Sequence, residues 1–399
     1  MRKILFSILV FFALNGFSQI QVTDSAKISL ITCSPAQEAV YTQFGHTAIR
    51  YQDVSTGTDL MFNYGIFNFN TPNFIGRFIK GETDYELGVY PSEYFFQEYK
   101  ERNSRVTQQE LNLTKEEKQR LMDALQVNYQ PKNRVYRYNF IFDNCATRPR
   151  VKVEEIVDGK ILYSPEETHY HTFRHWIGNY VGFYSWTKFG IDLLLGKETD
   201  RVATKMEATF LPDVLMEEFA HAQIKTADGN TRSLVKSEET PVINTPETET
   251  QPGFLRQPAA VTLLVLLIGL ALTYIEFTKK KNWKIIDSTL LIITGFVGII
   301  IFYLMFFSVH PLVKSNYNIL WCNPFNMVLG VLIWIKQGRK LSFFFQSANV
   351  LLFIGAFLVF LFSIQHINVA SVPFILLLLV RSAFWIYKER DILKKSHKA

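Results

Sequence analysis

The chain has 399 residues, 42 lysines and arginines against 36 aspartates and glutamates, a formal net charge of +6, and 48% hydrophobic residues. This length exceeds one average domain, and the composition changes from polar and tyrosine-rich in the first half to Leu-, Ile-, Phe- and Val-rich in the last third. Much of the basic excess flanks apolar runs, at 279–284, 336–340 and 388–398. The net positive charge therefore does not indicate nucleic-acid binding. The sequence also lacks the stripe of basic residues interleaved with aromatic residues that such binding needs.

The N-terminus has the pattern of an export signal. Arg2 and Lys3 form a charged region, residues 4–14 form a short apolar core, and small residues follow before position 19. Because the apolar core is shorter than a membrane span, the pattern favours a cleaved signal peptide over 1–18 rather than an anchor. The residues that follow are expected to be translocated.

Residues 19–225 are predicted to form an exported α+β domain, because short β-type runs alternate with helical patterns. A helix is predicted at 113–128, where Thr114 is an N-cap residue and Glu117 completes a capping box. A second helix is predicted from about 145 to 157. The predicted strands cover 28–32, 47–51, 60–62 and 137–142, with a turn at 55–58.

The rest of the chain is predicted to be a tether and a membrane anchor. Residues 226–256 lose the apolar periodicity and are rich in Ser, Thr, Pro and Glu, which is typical of a solvated, flexible linker. An all-α region of five transmembrane helices is predicted at 257–388, followed by a basic tail at 389–399. The five predicted spans are 258–277, 285–307, 318–335, 342–363 and 369–387.

Loop charges assign the sidedness of these spans. Three connecting or terminal segments are rich in Lys and Arg, whereas the loops at 308–316 and 363–369 contain one basic residue, Lys314. The positive-inside rule therefore places the N-terminal domain in the periplasm of a bacterial inner membrane and the C-terminus in the cytoplasm. Arg381 is expected to extend to the cytoplasmic interface. The spans show no sign of a proton relay or a gated pore.

Cys145 is a candidate nucleophile. It follows a predicted strand and precedes a predicted helix, whose N-terminus would lower the pKa of a thiol. The structural alternative is a disulfide with Cys33, because both cysteines belong to the exported domain and that compartment is oxidising. Cys322, beside Trp321 at the end of a predicted span, is interpreted as a small apolar filler.

His46 is the candidate base for this thiol. It begins a predicted β-hairpin directly after Gly45, which would let backbone or substrate approach closely. A thiol paired with an imidazole from a distant segment is the arrangement of nucleophilic acyl transfer, although a packed core histidine is the ordinary alternative. Across the hairpin, Asn63 is the predicted third member that orients the ring, and Asp59 is the second choice.

Other polar residues complete the predicted site. Tyr64, Tyr138 and the backbone N–H of Cys145 are candidates to stabilise an oxyanion. Arg148 and Arg150 are predicted to bind a phosphate headgroup. No metal or other cofactor is expected: the histidines at 169–175 lack the HExxH pattern and include an arginine that would repel a cation, so an aromatic-rich surface near the membrane is favoured there.

Five short motifs follow one another with a characteristic order and spacing. They are FGHTA at 44–48, FNYG at 62–65, NCATR at 144–148, GIDLLLG at 190–196 and FLP at 210–212. Together they resemble the Lnb-type N-terminal periplasmic domain family of Bacteroidetes and related bacteria, over residues ~25–220. The resemblance implies a circularly permuted papain-like fold of the NlpC/LRAT-like kind, in which the histidine strand precedes the cysteine. It also makes the Cys33 disulfide the less favoured interpretation.

The resemblance further implies a lipoprotein N-acyltransferase. A membrane phospholipid would donate an acyl chain to the thiol of Cys145, with His46 as base, and the α-amino group of a diacylglyceryl-modified lipoprotein would accept it. Two alternatives stay open from the residues alone. The protein could be a periplasmic cysteine hydrolase of cell-wall peptides or lipids, or a non-catalytic membrane-tethered binding or assembly module.

Overall fold

The computed structural model describes residues 20–36, 38–67, 71–164, 171–244 and 252–396. Within them the chain forms a mixed α+β domain followed by a helical region, so the predicted fold class is confirmed at this level. The predicted signal peptide lies outside the described residues.

The described part of the N-terminal domain contains ten strands. They are β1 Ala26–Cys33, β2 His46–Asp53, β3 Thr58–Ile66, β4 Asp84–Pro91, β5 Val106–Leu111, β6 Val135–Arg137, β7 Lys160–Leu162, β8 Gln223–Lys225, β9 Thr231–Ser233 and β10 Val235–Val242. Among the described residues they form a seven-stranded antiparallel sheet, in the order β10-β5-β1-β2-β3-β4-β6, and a small β7-β8-β9 sheet. The predicted strands at 28–32, 47–51 and 60–62 are confirmed as β1, β2 and β3.

The predicted strand at 137–142 is wrong beyond its first residue. β6 ends at Arg137, and the Oδ1 of Asn139 accepts hydrogen bonds from the backbone N–H groups of Ile141 and Phe142 at 3.1 and 3.0 Å. An asparagine side chain that bonds the backbone two and three residues ahead closes a turn instead of extending a ladder. This turn leads directly to Cys145.

Among the described residues, the N-terminal domain contains eight α-helices. They are α1 Phe74–Lys80, α2 Ser92–Glu101, α3 Lys115–Tyr129, α4 Thr147–Ile156, α5 Phe173–Val181, α6 Trp186–Leu194, α7 Lys205–Ala208 and α8 Pro212–His221. The predicted capping box of α3 is confirmed, with Thr114 and Glu117 bonding each other's backbone N–H groups. α3, α4 and α8 pack on one face of the sheet, and α2 packs on the other with Phe95 and Tyr99.

The predicted linker is wrong over 231–242, which forms β9 and β10. β10 pairs with β5 at the edge of the large sheet, and Lys236 forms an ion pair with Glu110 at 2.9 Å. An edge strand exposes most of its side chains, so its polar composition resembled that of a linker. The domain therefore extends to at least Val242, and the predicted linker residues 245–251 lie outside the described residues.

Four helices of the C-terminal region are long and apolar enough to cross a membrane, within the residues that the structure describes. They belong to α9 Pro258–Thr278, α10 Lys284–Phe307, α12 Arg339–Leu361 and α13 Ser371–Ser396. A regular fifth span is not confirmed: at 318–335 the chain forms a 3₁₀ helix, Tyr317–Leu320, and then the eight-residue α11, Phe325–Leu332. Eight helical residues extend about 12 Å, whereas a span needs about 20 residues.

Buried asparagines hold this broken segment in place. The Asn326 side chain donates to the carbonyl oxygen of Trp321 at 3.0 Å, and its backbone N–H donates to Asn323 Oδ1 at 3.2 Å. Asn349 on α12 donates to Asn326 Oδ1 at 2.8 Å. Because hydrocarbon offers no partner to a free backbone group, an interrupted helix needs such side chains.

Arg381 does not extend to the interface as predicted. Its side chain is buried between helices, and it donates to Asp287 at 2.7 Å and to Glu276 at 2.8 Å. These two carboxylates belong to α10 and α9. Arg381 therefore joins three helices through a neutralised ion-pair network, which is the usual condition for charge inside a bundle.

Candidate active site

A thiol, an imidazole and an amide from three segments of the N-terminal domain meet beside the large sheet. The thiol of Cys145 is in hydrogen-bonding contact with the ring of His46. The Nε2 of that ring lies 2.6 Å from Asn63 Oδ1, and Asn63 Nδ2 donates to the Tyr90 hydroxyl at 2.8 Å. Since the Asn63 amide oxygen accepts, Nε2 carries a proton, which leaves Nδ1 for the thiol.

Two glycines border this contact. Gly45, at φ +73°, stands directly before β2, and a Cβ atom there would lie 2.6 Å from the carbonyl oxygen of Cys33. The β2–β3 register, extended from Ile49↔Phe62, places Gly65 opposite His46. A Cβ at Gly65 would be 3.7 Å from the Cβ of Cys145. Gly45 thus allows the close approach of β1 and β2, and Gly65 takes a positive φ of +97° opposite the ring.

Asn144 fixes the loop that carries Cys145. Its Oδ1 accepts hydrogen bonds from the backbone N–H groups of Ala146 and Thr147, both at 2.9 Å, at the start of α4. Its Nδ2 donates to the carbonyl oxygens of Phe140 and Phe210, both at 2.8 Å. This buried residue was missed in the sequence as a site residue, although asparagine just before a helix is a familiar capping signal.

The electrostatics favour a thiolate–imidazolium pair. Burial raises the pKa of the Cys145 thiol, but the charge of His46, its hydrogen bond and the backbone N–H groups of Thr47 and Cys145 together lower it below its ordinary value. Burial lowers the pKa of His46, and the charge and hydrogen bond of Cys145 and the bond to Asn63 together raise it above the ordinary value. The site can hold an activated nucleophile and a proton donor together.

This pair predicts a pH window whose limits depend on Asn63. The window opens where Cys145 loses its proton, at the lowered pKa, and closes where His46 loses its proton, at the raised pKa. Asn63→Ala removes a bond that raises the pKa of His46, so the upper limit should move to lower pH. The weakened imidazolium should also move thiolate formation to higher pH.

Thiolate ultraviolet absorbance, taken as the difference from Cys145→Ala, measures the lower limit of this window. The pH profile of Cys145 acylation by a water-soluble ester measures the upper one. Asn63→Asp should move the upper limit the other way, because a carboxylate favours the imidazolium more than an amide does. Unchanged limits in both variants would contradict a role for Asn63 in stabilising the pair.

The structure separates the two tyrosines predicted to stabilise an oxyanion. Tyr64 points into the core on the opposite face of β3 from Asn63, and its hydroxyl donates to Asn128 at 2.7 Å. Tyr138 lies near the thiol: burial first, and then the charge of Cys145, raise the pKa of its hydroxyl well above the ordinary value. Tyr138 therefore stays protonated and able to donate beside Cys145, whereas Tyr64 is not part of the site.

The remaining predicted polar residues are engaged elsewhere. Asp59 forms two hydrogen bonds with Arg50, at 2.8 and 2.6 Å, and lies near the far end of the hairpin. Arg148 forms two with Asp143, at 2.6 and 2.7 Å, and stacks over the ring of Tyr136. Arg150 bonds Glu154 at 3.1 Å. The structure does not bring these residues to the thiol, and carboxylates neutralise both predicted headgroup arginines.

A cavity of about 460 Å³ opens beside His46 and Asn63. Tyr41, Tyr90 and Tyr99 line it, together with the charged residues Glu98 and Arg102. Arg102 forms an ion pair with Glu98 at 2.7 Å. No sequence motif surrounds Arg102, so it was not predicted as a site residue.

Cys33 is a free thiol in this structure, so the disulfide alternative is not observed. It pairs with His46 across β1 and β2, and its side chain is buried. Burial, with a smaller contribution from Cys145, raises the pKa of Cys33 well above the ordinary value. Of the two thiols near His46, Cys145 is thus the ionisable one.

A buried ion network docks this domain on the helical region. Asp192 accepts hydrogen bonds from Arg174 at 2.9 Å, from Lys188 at 2.5 Å and, across the interface, from Asn368 at 2.9 Å. Asp200 accepts from Arg174 at 2.6 Å. Asn368 follows α12, at the end that the loop charges assign to the outer side. The Cys145 domain is therefore held against the outer end of the bundle.

The fold and this site define a membrane protein with an α+β domain that carries a buried thiol–imidazole pair. Residues 18–178 match the Lnb N-terminal periplasmic domain, and residues 249–391 match the Lnb transmembrane domain. The two matches together cover more than half of the chain, which belongs to the Lnb family. Its N-terminal domain is periplasmic and its C-terminal region is transmembrane. Comparison with curated proteins and with solved structures gave no match, and the permuted papain-like topology stays a prediction.

Proposed function

We propose that this protein is a lipoprotein N-acyltransferase of the bacterial inner membrane, with its C-terminus in the cytoplasm. It moves an acyl chain from a phospholipid, through a thioester on Cys145, to the α-amino group of a diacylglyceryl-modified lipoprotein. The observation that carries the proposal is the Cys145–His46–Asn63 arrangement, held by a domain docked on the bundle. Both substrates are lipids that stay in the bilayer, so such an enzyme must work at its surface.

In the first half-reaction His46 holds the proton of Cys145, and the thiolate attacks an ester carbonyl carbon of the phospholipid. The backbone N–H of Cys145 and the Tyr138 hydroxyl support the oxyanion. The carbon–oxygen bond to glycerol then breaks, and the lysophospholipid oxygen takes the proton from His46. A thioester on Cys145 is left.

In the second half-reaction the amine of the acceptor attacks the thioester carbonyl. His46 takes one amine proton and returns it to the departing sulfur, so an amide forms and the thiol is regenerated. Splitting one difficult transfer into two easier steps is the general advantage of a covalent intermediate. Neither half-reaction, as written, requires a cofactor.

An isotope-labelled acyl chain tests this proposal. Full-length protein in vesicles that contain phospholipid with a deuterated acyl chain should gain that acyl mass on the peptide containing Cys145. Added diacylglyceryl lipopeptide should then remove the label and appear as the N-acylated product. Release of the label as free fatty acid, with the lipopeptide unchanged, would instead establish a hydrolase. Absence of the label from the Cys145 peptide, from the lipopeptide and from free fatty acid would contradict both reactions.

A further inference from the structure

Helix α1 presents apolar side chains to the outside. None of its seven residues is buried, and Ile75, Phe78 and Ile79 are 74, 50 and 41% exposed. A contiguous apolar face on a periplasmic surface costs free energy unless something covers it. The surroundings of this face indicate what covers it.

Hydrogen bonds tie α1 to the outer end of a membrane span. The backbone carbonyl of Lys80 accepts from the backbone N–H of Val309 at 2.8 Å and from the Ser308 hydroxyl at 3.0 Å. The ring of His310 donates to the carbonyl oxygen of Phe78 at 2.6 Å. These loop residues directly follow Phe307, where the span α10 ends. α1 is therefore fixed beside the outer end of α10.

Aromatic rings connect α1 to the reactive thiol. Ring centroids are 6.1 Å apart for Phe78 and Phe74, 6.3 Å for Phe74 and Phe67, 5.0 Å for Phe67 and Tyr85, and 4.1 Å for Tyr85 and Tyr138. We call these five residues the aromatic track. Its last member, Tyr138, lies within electrostatic reach of Cys145.

Two adjoining cavities lie along the aromatic track. A cavity of about 350 Å³ lies between α1 and β4, lined by Phe67, Phe74 and Tyr85 among others. It shares Ile66 and Phe67 with the cavity of about 460 Å³ beside His46. The wall of the smaller cavity also contains Arg77, Asp84 and Glu86. A long apolar chain that enters at α1 would thus meet the rings of the track on one side of a partly charged cavity, and space as far as the site.

We propose that α1 inserts into the outer leaflet and that the aromatic track binds the acyl chain of the phospholipid donor. This inference rests on the proposed function. The donor is assigned to the track because the carbonyl next to its chain must reach Cys145, whereas the acceptor has to present only its amine. The amphipathic helix and the track together explain how a thiol outside the bilayer reaches an ester within it.

Photochemical labelling tests the path without depending on catalysis. Full-length Cys145→Ala protein is placed in vesicles of phosphatidylethanolamine and phosphatidylglycerol that contain a phosphatidylethanolamine with a diazirine on its acyl chain. Peptides from 66–85 should carry the label. Label confined to the transmembrane helices would overturn the proposal, and so would labelling of 66–85 by a diazirine lipopeptide acceptor alone.

A paired kinetic test uses Ile75→Gln/Ile79→Gln. We measure the rate of Cys145 acylation by vesicle phospholipid and the rate by a water-soluble short-chain ester, and take the ratio of the first rate to the second. The ratio should fall about tenfold, because the variant removes two side chains from the leaflet. The control Val127→Gln, at an exposed position of α3, should leave the ratio unchanged.

The two acyl donors distinguish failure of this inference from failure of the proposed function on which it rests. If neither donor acylates the unmodified protein, the proposed function is wrong. If both do and the double variant keeps the original ratio, the acyl path is wrong and the proposed function survives.

Discussion

Cys145→Ala in the full-length protein is expected to lower N-acylation of lipoproteins by about a thousandfold or more, as loss of a covalent nucleophile generally does. The thiol is the group whose pKa the site lowers, and no other nucleophile among the described residues is in hydrogen-bonding contact with His46. The measurement is mass spectrometry of lipoprotein N-terminal peptides from cells that rely on this protein.

Cys322→Ala is the matched control, because it removes a buried thiol of the same size from the helical bundle, far from His46. It should leave N-acylation near the original level. Cys145→Ser should also lose most of the activity, since a hydroxyl is a much weaker acid than a thiol. Acylation that survives Cys145→Ala would exclude the thioester, and the binding-module interpretation would gain.

The sequence sufficed to pair Asn63 with His46, because a hairpin with a marked turn fixes which residues share a face. The observed register places Gly65 opposite His46, and Asn63 two residues further along the same face. The same register pairs the second choice, Asp59, with Gln52 near the far end of the hairpin, where Asp59 bonds Arg50. Register is a local property, and within this one hairpin it separates the two candidates.

Contacts distant in the chain account for most of what the sequence did not show. Arg381 finds its carboxylates 94 and 105 positions earlier, on other helices. The aromatic track joins Phe67, Phe74 and Tyr138 from separate segments that no motif connects. The edge strand β10 resembled a linker, because the pattern of an exposed strand is polar. Composition alone does not distinguish an exposed edge strand from a linker; the neighbouring strand must also be known.

Asp192→Ala is expected to destabilise the docked domain by about 3–5 kcal/mol, the usual cost of leaving a buried charge without its partner. Arg174 and Lys188 are each 3% exposed, and Asp192 is 1% exposed. Arg174 keeps Asp200, but Lys188 has no other hydrogen-bond acceptor among the described residues. The melting temperature in detergent should fall by roughly 10 °C, and hydrogen exchange should rise in the loop around Asn368.

The double variant Asp192→Ala/Lys188→Met shows whether the loss is electrostatic. Burial already lowers the pKa of Lys188, and Asp192 opposes that shift. Without Asp192 the folded-state pKa falls further below the unfolded value, so the deficit should shrink as the pH rises and the lysine is neutral in both states. Removing the lysine should restore part of the melting temperature, while Asp158→Ala, in an exposed pair with Arg120, should not change it.

A deficit that is independent of pH and of Lys188 would mean that Asp192 acts by shape alone. The site would then depend on packing, rather than on charge, to stay at the membrane surface.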